Sequence, residues 1–93
     1  MTIIKDFFAD KLHVMVFDTR EAMGRMAGEQ AAARIRELLA EKEEINIIFA
    51  AAPSQNETLE TLVSAERIDW TRVNAFHMDE YVGLDAAHPA GFR

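Results

Sequence analysis

Ninety-three residues, 49% hydrophobic and 28% charged, suit one small packed soluble domain and exclude a disordered chain. A formal net charge of −6 argues against a nucleic-acid partner, which needs Lys/Arg patches, and leaves any anionic ligand to be held by local donors. No cysteine is present, so disulfide and thiol chemistry are excluded.

The first ten residues carry Ile3, Ile4, Phe7 and Phe8 at helical spacing. A short docking helix and an apolar lead-in covering a sheet edge fit equally well. Acids interrupt this run, so it lacks a signal-peptide core, and no stretch approaches a membrane span. A cytoplasmic protein with no membrane contact is the expectation. Leu12-His13-Val14-Met15-Val16-Phe17 is a short apolar strand, and His13 is a strand-end residue with no ligand role. Asp18 or Thr19 supplies an N-cap for a helix over 19–42, whose inner stripe includes Met23, Met26, Ile35, Leu38 and Leu39. The two methionines on that stripe read as core filler. Gly24 and Gly28 point to close packing of this helix on the sheet.

The near-continuous apolar run over 45–51 suits a central parallel strand covered on both faces. Ala52-Pro53-Ser54-Gln55-Asn56 breaks it, and a second helix follows over 57–67 with Leu59, Leu62 and Val63 inward. A strand, a small-residue loop and a helix N-terminus meet there, which favours an anion. Ser54 and Asn56 are candidate donors, with capping of the helix as the commoner use of such residues. Trp70 is expected to pack at the base of the sheet.

The third strand, over 73–78, leads straight into two carboxylates and a Gly-containing turn: Phe76-His77-Met78-Asp79-Glu80-Tyr81-Val82-Gly83-Leu84. Strand alternation puts Val73, Ala75, His77 and Asp79 on one face and Asn74, Phe76, Met78 and Glu80 on the other. In open α/β sheets ligands bind beyond the carboxyl ends of strands. Taken on residue types alone, Asp79 is a strand-terminal Asp capping the following turn. Residues 82–93 form a turn-rich loop of the length active-site loops often have.

That nine-residue block, followed by His88-Pro89 and Phe92-Arg93, resembles the signature of glucosamine-6-phosphate deaminases, and the order of elements from about Val14 onward resembles the family too. The resemblance implies an α/β three-layer sandwich with a parallel Rossmann-like sheet, its strands near 13–17, 45–51 and 73–78, joined by right-handed crossovers. It implies conversion of glucosamine 6-phosphate to fructose 6-phosphate with release of ammonia, without metal or organic cofactor. Asp79 is then the catalytic base, with Glu80 supporting the site or its loop. A phosphorylated amino sugar would be bound by Ser54, Gln55, Asn56 and Tyr81. Ser54 aligns with a hydroxyl residue of the family's Thr-Gly-rich phosphate turn, whereas Ala52 and Pro53 stand where glycines are usual.

The family's ring-opening His, a further acid and the phosphate-clamping basic residues belong to a later half that 1–93 does not contain. The chain is accordingly read as the N-terminal portion of a deaminase-like α/β domain, incomplete and without appreciable deaminase activity on its own. Its open sheet edge predicts a homo-oligomer. Two other functions share the architecture: a non-catalytic sugar-phosphate effector-binding domain and a hydrolase such as 6-phosphogluconolactonase. His77-x-Asp79 is also half of a 2-His-1-carboxylate iron site, for which His13 and His88 are poor third ligands.

Overall fold

The computed structural model describes residues 3–50, 52–85 and 87–89. The chain is mixed α/β, with two helices and two small sheets, one antiparallel and one parallel. Strand β1, Ile3–Ala9, pairs antiparallel with β2, Leu12–Phe17, in register Ala9 to Leu12 and Phe7 to Val14. Asp10-Lys11 closes the hairpin, with Asp10 at φ 57. A short polar side chain tolerates that left-handed conformation, and a positive φ in a two-residue turn matches the twist of the strands. Thus the helical option for the first ten residues is corrected. A bulge between Ile3 and Lys5 breaks the alternation that would have marked a strand.

Helix α1, Arg20–Glu41, starts where Thr19 Oγ1 accepts the Ala22 N–H at 3.1 Å. Thr19, not Asp18, is therefore the cap. Its far end is closed by a residue distant in sequence. Arg72 donates from Nη2 to the Leu39 carbonyl at 2.7 Å and from Nε to the Glu43 carbonyl at 2.6 Å. Carbonyls left over at a helix C-terminus are thus satisfied by a cation of favourable sign.

Strand β3, Ile45–Phe49, leads through a 3-10 turn, Pro53–Gln55, into α2, Asn56–Val63. The end of the predicted second strand, Ala51, lies outside the described residues. Helix α2 stops short of the predicted residue 67. Arg67 takes φ 64, and Arg36 Nε on α1 holds the Glu66 carbonyl at 2.9 Å, drawing that segment off the helical path. A second 3-10 turn, Trp70–Arg72, delivers the chain into β4, Val73–His77. Strands β3 and β4 are parallel and in register, from Ile45 with Val73 to Phe49 with His77.

The core is where these elements meet: Ala32, Ile35, Leu39, Ile45 and Leu62 are buried together, with Ile47, Phe49, Ile68 and Val73 packed around them. Helices α1 and α2 run side by side in the same direction. A Cβ on Gly24 would fall 2.3 Å from Glu57 Cβ, and one on Gly28 would fall 2.7 Å from the Thr58 carbonyl oxygen. Only glycine allows that approach, so the Gly-xxx-Gly spacing serves helix-on-helix contact here.

Three details of the predicted core are corrected. Val63 is 69% exposed because it follows Leu62 around the helix and faces away from α1. Met23 is half exposed, and Trp70 lies on a 3-10 turn at the margin of the core, partly covered. The three predicted parallel strands also do not share a sheet among the described residues: β2 pairs with β1, and β3 pairs with β4.

Candidate functional site

Two loops leave the same end of the β3–β4 pair, because the strands are parallel and in register. The turn after β3 covers 50–56, and the block Met78-Asp79-Glu80-Tyr81 follows β4. The N-terminus of α1 is brought to the same place by Arg20. Its Nη2 donates to the Pro53 carbonyl at 2.9 Å, and its Nε donates to Glu57 Oε1 at 2.6 Å. Three segments distant in sequence therefore converge beyond the carboxyl ends of two parallel strands, the general place for ligands in open α/β sheets.

The backbone behind Asp79 is held on several sides. The Met78 N–H donates to the Phe49 carbonyl at 2.7 Å, carrying the ladder one bond past β4. The His77 ring turns back over the next peptides. Its Nδ1 lies 2.8 Å from the Asp79 carbonyl oxygen and 3.2 Å from the Asp79 nitrogen, so it donates to the first or accepts from the second according to tautomer. Glu80 Oε1 accepts the Tyr81 N–H at 3.0 Å. Gly83, at φ 87, then turns the chain in a conformation that glycine adopts without strain.

The Asp79 carboxylate itself makes no hydrogen bond or ion pair with the described residues. It is exposed at the strand end, and the bonds fixing its backbone come from its neighbours. Glu80 has a different place, closing the loop at Tyr81. Tyr81 is exposed, with its ring outside the core.

In the 50–56 turn, the Gln55 side-chain amide donates to the Ala50 carbonyl, and the Gln55 N–H reaches the Ala52 carbonyl at 3.3 Å. Gln55 therefore braces the turn from within. Neither Ser54 nor Asn56 caps α2, which starts without any side-chain cap. Capping as their role is thereby corrected. Both side chains are exposed. Ala52 takes φ −71 and ψ 142, ordinary extended backbone, so glycine is not required at that position of the turn.

Arg20 was passed over in the sequence reading. A signal was present: a cation in the first turn of a helix opposes the helix dipole, and such a placement calls for a compensating partner. The partners, Pro53 and Glu57, lie more than thirty residues away and could not be read from spacing.

His13 belongs to the hairpin, where its Nε2 lies 2.5 Å from Asp6 Oδ1 and its ring stacks on Phe8 at 4.6 Å. Among the described residues no three His, Asp or Glu side chains come together in a way that could hold a metal ion. The Phe92-Arg93 end of the motif lies outside the described residues. His88 is described, and its N–H donates to the Asp85 carbonyl at 3.0 Å.

A groove of about 570 Å³ runs along the seam of α1 and α2, lined by Glu21, Arg25, Glu29, Glu57, Glu60 and Thr61 among others. Its lining is mainly acidic and does not include the strand ends, so it does not suit an anionic ligand. No helix among the described residues is long and apolar enough to cross a membrane. Comparison with known proteins brings no match: no family model, no curated protein and no solved structure is similar to the chain.

Proposed function

We propose that this chain carries the proton-transfer half of a sugar-phosphate deaminase/isomerase site acting on glucosamine 6-phosphate. The observation that carries the reading is Asp79: a carboxylate without a partner among the described residues, on a pinned backbone, beyond the end of a parallel strand. A general base must present its oxygens to substrate while its own position is set by groups other than substrate. In the ring-opened sugar, Asp79 takes the proton from C2 and returns it to C1. The resulting C2 imine is hydrolysed to the ketone, releasing ammonia. Exposed Ser54 and Asn56, in the turn at the same sheet end, receive the phosphate, while Glu80 and Gln55 brace the two loops.

We further propose that 1–93 forms the N-terminal portion of a larger three-layer, Rossmann-like domain. Support comes from the β3–β4 pair, which rests one face on the helices through Ile45, Ile47 and Phe49. Its other face is bare: Ile48, Phe76 and Met78 are each more than half exposed. Parallel sheets are ordinarily covered on both faces. The same bareness supports a homo-oligomer, checked by sedimentation of the purified chain.

The catalytic reading is tested with the product of the complete gene, assayed for ammonia release from glucosamine 6-phosphate beside Asp79→Asn. The amide keeps the size of the side chain and removes the base. Activity that survives the substitution would sink the assignment.

A further inference from the structure

We infer that Arg20 is the phosphate-contacting cation of this site, held by Glu57 when no anion is bound; the assignment rests on the sugar-phosphate reading above. The three segments that meet at the strand ends carry Asp18, Glu21, Glu57, Asp79, Glu80 and Asp85. Within 18–22, 50–57 and 78–85, Arg20 is the one lysine or arginine among the described residues, with Arg25 lying one turn further along α1. A phosphate monoester entering that field needs a compensating charge, and Arg20 is the group in place to supply it.

Its geometry fits the task. The guanidinium is anchored on one side only, by Nε on Glu57 and by Nη2 on the Pro53 carbonyl, at the mouth of the turn that holds Ser54. The planar fork has further N–H donors on Nη1, and these have no partner among the described residues. Such a fork matches phosphate oxygens two at a time. The Arg20 side chain is 54% exposed, whereas that of Glu57 is 21% exposed. The cation thus faces outward from a carboxylate that is largely covered. Placed at the start of α1, Arg20 opposes the helix dipole, a position better explained by what it holds than by the helix it begins. Glu57 and an incoming phosphate compete for the same guanidinium, so Glu57 sets the threshold for anion binding.

The test titrates the purified chain with inorganic phosphate and with glucosamine 6-phosphate, following backbone amide and arginine Nε–H resonances. Wild type, Arg20→Ala and Glu57→Gln are compared. Binding by wild type is expected to move the signals of Arg20 and of 52–57. Arg20→Ala is expected to weaken glucosamine 6-phosphate by about tenfold, the scale of losing one charge-assisted pair at a part-exposed site. Glu57→Gln is expected to strengthen it severalfold, with the gain shrinking as salt is raised.

Opposite signs in the two variants are the mark of an anion contact. A residue that merely braced the turn would lose affinity in Arg20→Ala and gain none in Glu57→Gln, whose amide oxygen still accepts from Nε and leaves the bond to the Pro53 carbonyl in place, and that result overturns the inference. Wild-type binding unchanged in both variants overturns it as well, leaving the sugar-phosphate reading intact. No binding of either probe by wild type overturns the inference, and the sugar-phosphate reading is then decided by ammonia release from the complete gene product. Should Arg20→Ala fail to fold, the sign of the Glu57→Gln change decides alone.

Discussion

The helix pair with β3 and the β1–β2 hairpin are both rich in large apolar residues, yet only the first buries them. Ala22, Ala32, Ile35, Leu39, Ile45 and Leu62 are all buried, and every one belongs to α1, β3 or α2. In the hairpin Ile3, Ile4, Phe7, Phe8, Leu12 and Val16 are all exposed. Composition does not separate the two regions; the presence of a facing layer does. Small residues on α1 admit α2 to close range at Gly24 and Gly28, and β3 lies across both helices. The hairpin satisfies its backbone by pairing, but among its described residues only Val14, Met15 and Phe17 are even partly buried, which is marginal for a two-stranded ribbon.

The comparison breaks most readily at Leu62. Truncation to Ala in the packed half is expected to cost about 2–5 kcal/mol, whereas Phe8→Ala in the hairpin is expected to change stability by roughly 0.5 kcal/mol or less. Urea unfolding of the two variants measures both, and equal losses would mean that the hairpin is covered in solution. Gly28→Ala sharpens the point. The new methyl gains up to about 1 kcal/mol in helix propensity. It also meets Thr61 Cβ at 2.6 Å and the Thr58 carbonyl at 2.7 Å, so backbone must move. A net loss of about 1–2 kcal/mol is expected, and a stabilised variant would show that the helices do not approach this closely.

The smallest effect is at Asp69, ahead of β4. The Thr71 hydroxyl, 2.5 Å from Asp69 Oδ1, holds its carboxyl below the ordinary value of 3.8. A depressed carboxyl stabilises the fold at pH above 3.8, and that contribution disappears as pH falls through the lower folded value. Asp69→Asn should therefore flatten a slight acid dependence of stability below pH 4 and leave neutral behaviour nearly unchanged, as read from melting temperatures across pH.

Much of the packed half was legible from local signals. A cap at Asp18 or Thr19, the long α1 periodicity, and the β3 and β4 runs needed only neighbours in sequence. Two of the misreadings depend on distant partners. The spacing of Ile3, Ile4, Phe7 and Phe8 is helical, but β2 takes the backbone into a hairpin instead. Helix α2 ends at Val63, and the Glu66 carbonyl beyond it is held by Arg36 of α1. The site follows the same rule. Asp79 could be singled out from the resemblance its block carries, because its place after a strand alone also fits an Asp capping the turn. Arg20 could not, because Pro53 and Glu57 give it meaning only once the chain is folded. Gln55 was read as a ligand donor, and its amide instead ties the turn to Ala50.

The role proposed for Asp79 is to carry the proton in amino-sugar chemistry. The direct measurement is ammonia release from glucosamine 6-phosphate by the complete gene product, wild type against Asp79→Asn. Turnover by wild type is expected, with a fall of about a hundredfold or more in the variant, the scale of losing a general base. Equal turnover by the two proteins, or sugar-phosphate binding by wild type with no ammonia released, would contradict it.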